Sequence, residues 1–69
     1  MQAYELCAGD EYRDGDGTVQ MTVIFGAKAD GDSPVTGKPQ VVVAVRYRDG
    51  GANLRWFDRD AEVPYTRPE

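Results

Sequence analysis

Residues Pro39–Arg48, PQVVVAVRYR, limit what this chain can become more than any other stretch. Val41, Val43, Val45 and Tyr47 fall at alternate positions, with Gln40, Ala44, Arg46 and Arg48 between them and Val42 as the one apolar exception. A repeat of two sends the first set to one face of a strand and the second to the other. β-Branched and aromatic side chains suit such a pleated, half-buried surface. This run is therefore the strand on which a core is expected to condense.

The chain has 69 residues, one cysteine and no histidine. That length gives a single domain over 1–69 with a small core and marginal stability. Cys7 alone cannot form an intramolecular disulfide, so tight packing or self-association must replace that staple. Without histidine the commonest general base and the commonest transition-metal ligand are missing. No catalytic residues are therefore assigned, and the chain is not expected to be an enzyme. No cofactor is expected either.

The net charge of −4 is unevenly spread. Residues 1–37 carry seven acids against two bases, and residues 38–69 carry six bases against five acids. An acidic chain is a poor non-specific ligand for nucleic acid, although a local arginine patch still suits an anionic partner. The start, MQAYELCAGDEY, lacks the basic and apolar regions of a signal peptide, and no apolar run nears the ~20 residues of a membrane span. A soluble cytoplasmic protein with a reduced Cys7 and no membrane contact is the expectation.

Further strands follow from the same alternation. Tyr4 and Leu6 give a short first segment, and Glu11–Arg13 a second after a turn at Ala8-Gly9-Asp10. Asp14-Gly15-Asp16-Gly17 is a turn signal because Asp-Gly supplies positive φ cheaply. Thr18–Ala27 then reads as a strand, with Val19, Met21, Val23, Phe25 and Ala27 facing the core. Gly26 within it marks a bulge or a close backbone approach. Lys28–Lys38 reads as a long loop, either recognising a partner or mobile.

A two-residue turn at Gly50-Gly51 predicts a hairpin that sets Arg48 opposite Asn53, Arg46 opposite Arg55 and Val45 opposite Trp56. That register points Trp56 inward and Phe57 outward beside Ala44. Ala61, Val63 and Tyr65 form a last strand, confined to an edge by Pro64, and residues 66–69 are expected to fray. No 3.6-residue apolar period occurs, so the chain is predicted to be all-β. Five short strands are expected to close into a small antiparallel barrel, since closure protects edges.

Ala8-Gly9-Asp10-Glu11-Tyr12, Asp16-Gly17-Thr18-Val19 and the hairpin Val45–Gly51 with Leu54–Phe57 resemble the opening, the second-strand entry and the central hairpin of SH3-like barrels. The resemblance spans roughly residues 8–66 and implies a five-stranded SH3-like barrel that binds protein or nucleic acid without catalysis. Two features depart from that family. The net charge is acidic, unlike its nucleic-acid-binding members, and no acidic-aromatic groove of the proline-peptide-binding kind is evident. The composition also resembles that of short proteins of actinobacteria and their phages, which implies a phage- or plasmid-type protein acting on a host protein.

The predicted register surrounds an outward Phe57 with Arg46, Arg55 and Arg59, and Arg48 lies nearby. Arg46, Arg48, Arg55, Phe57 and Arg59 are thus the expected contact residues for a protein partner, through charge-assisted hydrogen bonds and one apolar anchor. Phosphate contacts by the same arginines, or a self-pairing homo-oligomer, are the alternatives. Asp14, Asp16, Asp30 and Asp32 lie in Asp-Gly turns that lack the remaining ligands of a calcium loop, so no metal site is assigned.

Overall fold

The computed structural model describes residues 1–69. A 3₁₀ turn, Ala3–Glu5, precedes five strands: β1 (Glu11–Arg13), β2 (Val19–Asp32), β3 (Pro39–Tyr47), β4 (Ala52–Asp58) and β5 (Tyr65–Thr66). All ladders are antiparallel, and the order across the sheet is β4-β3-β2-β1-β5. The fold is all-β, as its alternation predicts. No ladder joins β4 to β5, so the five strands form an open sheet and not the expected closed ring.

The valine run lies at the centre of the sheet. Val41, Val43 and Val45 are 4%, 1% and 0% exposed, and they meet Val23 of β2 on one face. Ala3, Leu6, Val63 and Tyr65 complete the core by covering that face. Backbone bonds tie the covering segments together: Ala3 N–H to Ala61 C=O (2.8 Å), Tyr4 N–H to Arg59 C=O (3.0 Å) and Val63 N–H to Met1 C=O (2.8 Å). The first expected strand is therefore a 3₁₀ turn, with Leu6 buried and Tyr4 exposed.

β2 differs most from its sequence reading. It runs for 14 residues, past Ala27 to Asp32, which shortens the expected 28–38 loop to residues 33–38. Its register with β3 shifts three times: between Val23 and Phe25, between Phe25 and Lys28, and between Ala29 and Asp32. Each bulge inserts an extra residue and changes the side-chain phase. Phe25 consequently pairs with Ala44 on the outer face and is 64% exposed, where strict alternation would bury it.

Gly26 explains why the strand bends here. Ala27 N–H donates to Leu6 C=O at 3.0 Å. A Cβ on Gly26 would lie 2.9 Å from that same oxygen and 3.3 Å from Cys7 Cα. Both neighbours are backbone and cannot swing aside. Gly26→Ala is expected to destabilise the fold by about 1–3 kcal/mol, the range for overpacking. Urea unfolding of the variant checks it, and a midpoint equal to wild type would show the approach is slack.

The β3–β4 hairpin also departs from its predicted register. Its loop has three residues, Arg48-Asp49-Gly50, not two: Tyr47 N–H donates to Gly51 C=O at 2.6 Å, and Gly50 N–H to Tyr47 C=O at 3.0 Å. Gly50 takes the positive φ (+94°) that ends such a loop. Arg46 thus pairs with Ala52, Ala44 with Leu54, Val43 with Arg55, Val42 with Trp56 and Val41 with Phe57. Relative to the predicted register β4 is displaced by an odd number of residues, so every β4 side chain changes face. Trp56 points out and is 50% exposed; Phe57 points in, edge-on to Tyr65 at 6.4 Å between ring centroids.

The tail is not frayed where it matters. Arg67 Nε donates to Asp10 Oδ1 (3.0 Å) and Arg67 Nη2 to Asp10 Oδ2 (3.2 Å) and Glu5 C=O (2.8 Å). Asp10, 1% exposed, also accepts Cys7 N–H at 2.8 Å. One buried carboxylate therefore links the N-terminal turn, the entry to β1 and the end of β5.

Candidate protein-docking face

The outer face of β2–β3–β4 is built from three cross-strand rows. Thr22, Arg46 and Ala52 form one; Phe25, Ala44 and Leu54 the next; Lys28, Val42 and Trp56 the third. The last two rows give an apolar band that includes Lys28 at its β2 edge and borders Arg46 of the first row. Phe25, Leu54 and Trp56 are 64%, 50% and 50% exposed, and no segment of the chain covers them. Phe25, Lys28, Val42, Ala44 and Leu54 line a shallow groove of about 170 Å³.

Trp56 is held in place. Its indole N–H donates to Asp30 Oδ2 at 2.6 Å. A second groove, about 430 Å³, lies between this ring and the 33–38 loop and is lined by Pro34, Val35, Gln40, Phe57 and Asp58 among others. Thr36 Oγ1 donates to Asp58 Oδ1 at 2.9 Å, which pins the loop against β4.

The expected arginine-phenylalanine patch does not assemble. Arg46 is exposed on the outer face, where Nη1 donates to Gly50 C=O at 3.4 Å. Arg48 sits at the hairpin tip, fastened through its backbone N–H to Gln20 C=O at 2.9 Å. Arg55 is on the inner face, half-buried, with Nη1 3.8 Å from Met21 Sδ and its guanidinium 5.8 Å from the centroid of the Phe57 ring. Arg59 follows β4 and stacks on Tyr4 at 4.9 Å. Arg55 and Phe57 do meet, but facing the core, and Arg46 and Arg55 lie on opposite faces with no like-charge pairing between them. The ion pairs are instead Met1 ammonium–Glu62, Arg13–Glu11 and Arg67–Asp10.

The acidic turn has a structural use. Asp14 Oδ1 accepts Asp16 and Thr18 N–H (both 3.1 Å), Asp14 Oδ2 accepts Gln20 Nε2 (2.6 Å) and Asp16 Oδ1 accepts Thr18 N–H (2.8 Å). No group of three or more aspartate, glutamate or cysteine side chains is placed to hold a metal ion. Tyr65 has its phenol pushed up, first by burial, although the Arg55 charge opposes this. No helix is long and apolar enough to cross a membrane.

Sequence reasoning missed Phe25, Leu54 and Trp56 as surface residues. Leu54 and Trp56 alternate with Arg55 and Phe57, so both faces of β4 carry an aromatic and the pattern alone does not choose between them. No protein-family model, curated protein or solved structure matches the chain.

Proposed function

We propose that this chain is a non-enzymatic protein-binding module that uses the outer face of β2–β4. The observation that carries the reading is the apolar band of Phe25, Leu54 and Trp56, half-exposed or more on a chain with only eight apolar residues in its core. Contiguous exposed apolar surface rimmed by polar groups marks interaction sites. A tryptophan oriented by a hydrogen bond to Asp30, in the same cross-strand row as Lys28, has the composition of an interface hot spot. The partner it suits is a protein with an apolar centre and acidic flanks that meet Arg46 and Lys28.

The finer fold reading is an SH3-like barrel left partly open. The strand order and the long, bulged β2 serving both halves of the sheet support it. The scattering of Arg46, Arg48, Arg55 and Arg59 over two faces, the hairpin tip and a turn favours protein over a phosphate backbone as ligand.

The test is affinity capture from the native cell with wild type beside Trp56→Ala and Phe25→Ala, with Arg48→Ala as control. A partner lost with either aromatic and kept by the control is expected. Its purified complex should lose about 30-fold in affinity with Trp56→Ala, the ~2 kcal/mol of a hot spot. If every captured protein survives both aromatic changes, the face is not the site.

A further inference from the structure

We infer that β4 is a self-complementary edge through which two copies of this chain pair, antiparallel and about a two-fold axis. The chain has two sheet edges, and they are unlike. β5 is only two residues long, whereas β4 offers seven. The valine-rich strand is unavailable for such pairing, because β2 and β4 flank it on both sides.

The hydrogen bonds of β4 specify how a copy would sit. Gly51 C=O and Arg59 N–H bond to β3 at 2.6 and 2.8 Å, so the odd-numbered residues between them also turn their backbone groups inward. The even-numbered residues Ala52, Leu54, Trp56 and Asp58 turn theirs outward, where no strand lies. One outward donor is already occupied: Leu54 N–H bonds its neighbour's Asn53 Oδ1 at 2.8 Å. Asp58 C=O accepts Ala61 N–H at 3.0 Å. Trp56 N–H and C=O, Asp58 N–H, Leu54 C=O and both backbone groups of Ala52 remain.

Free groups meet free groups, and occupied ones meet each other, in one register. An axis at Leu54 would also form four bonds, through Ala52 and Trp56, but would set the occupied Leu54 N–H against a free Leu54 C=O. With Trp56 on the axis, Trp56 N–H of each copy meets Trp56 C=O of the other, and Asp58 N–H of each meets Leu54 C=O of the other. Four backbone bonds form, and the Asn53 contact stays in place. In this register Arg55 stands opposite Phe57 of the second copy, an intermolecular version of the 5.8 Å stacking seen within the chain. Moving the axis to Arg55 would face two arginines, which like-charge repulsion disfavours. Ala52–Asp58 contains no proline, lysine or bulge, and its one inward-facing charge, Arg55, gains the second copy's Phe57 in this register.

The contact would cover on the order of 400–500 Å² per copy, at the low end for specific association. The dimer is therefore weak and concentration-dependent. It would set two outer faces side by side in one continuous sheet, and it stands whether or not those faces take a separate protein.

Sedimentation of the full chain from micromolar to millimolar concentration, with amide hydrogen exchange at both ends, tests this. The mass is expected to rise from 7.6 kDa toward twice that value. Exchange at the Trp56 and Asp58 amides should slow at least tenfold in the concentrated sample. Leu54→Glu should weaken association several-fold while the circular dichroism stays unchanged, because a carboxylate there faces Asp58 of the second copy. A monomer at millimolar concentration overturns the proposal, as does a dimer in which those two amides exchange as fast as in dilute solution. If Leu54→Glu fails to fold, the wild-type exchange result alone decides.

Discussion

Tyr65→Ala is expected to leave most molecules unfolded at 25 °C. Tyr65 is 4% exposed and packs its ring against Tyr12 (5.9 Å between centroids) and Phe57 (6.4 Å). It is also one of the two residues of β5, so it holds the C-terminal edge of the sheet to β1. Removing a buried aromatic costs about 3–5 kcal/mol, and a core of this size supplies about the same total. Tyr65→Phe keeps the ring and loses only a long hydroxyl contact to Met21 Sδ at 3.8 Å, so it should cost less than about 1 kcal/mol. Circular dichroism with urea titration separates the two. A cooperatively folded Tyr65→Ala chain would mean the sheet does not need β5.

The second large effect is expected at Asp10. Burial alone would raise its carboxyl, but the Arg67 hydrogen bonds, the Cys7 N–H and the Arg67 charge together hold it below the ordinary 3.8. The folded state therefore favours the ionised form. The stability this contributes is complete above about pH 4 and drains away as pH falls from there through the lower folded value. Asp10→Ala should cost about 2 kcal/mol at neutral pH, since it removes charge-assisted bonds to two segments. Asp10→Asn should remove part of the acid slope. Asp16, held down to about 2 first by hydrogen bonding with Asp14 and then with Thr18, is unaffected by that change. Urea midpoints at pH 3, 4 and 7 check this, and an acid slope identical to wild type in Asp10→Asn would refute it. Arg67→Ala should shift stability in the same direction, because it leaves Asp10 without its cation.

What the sequence revealed, and what it hid, divides along a physical line. Alternation identified Val41, Val43 and Val45 as core because a central strand with one dry face leaves little choice. Val63 and Tyr65 were legible for the same reason. The hairpin was not. Arg48-Asp49-Gly50-Gly51 supports either a two- or a three-residue loop, and the choice between them reverses all of β4. Bulges in β2 were equally hidden, since each depends on a distant contact: Gly26 bends where Leu6 crosses. Arg67 looked like a solvated tail because its partner, Asp10, is 57 positions away. The fold class could therefore be read from local pattern. The candidate face could not, because it depends on two register choices made by tertiary contacts.

Five of the eight core residues are valine: Val23, Val41, Val43, Val45 and Val63. β-Branching restricts the χ1 of valine, so this interior holds fewer alternative side-chain arrangements than one built of unbranched residues. An event on one side of the sheet thus has little means of being relayed to the other, and on the proposed reading the outer surface would meet a partner as a stiff plate. Recognition of that kind works by shape matching from the first encounter. Little entropy of ordering is lost within the module, and any adaptation falls to the visitor.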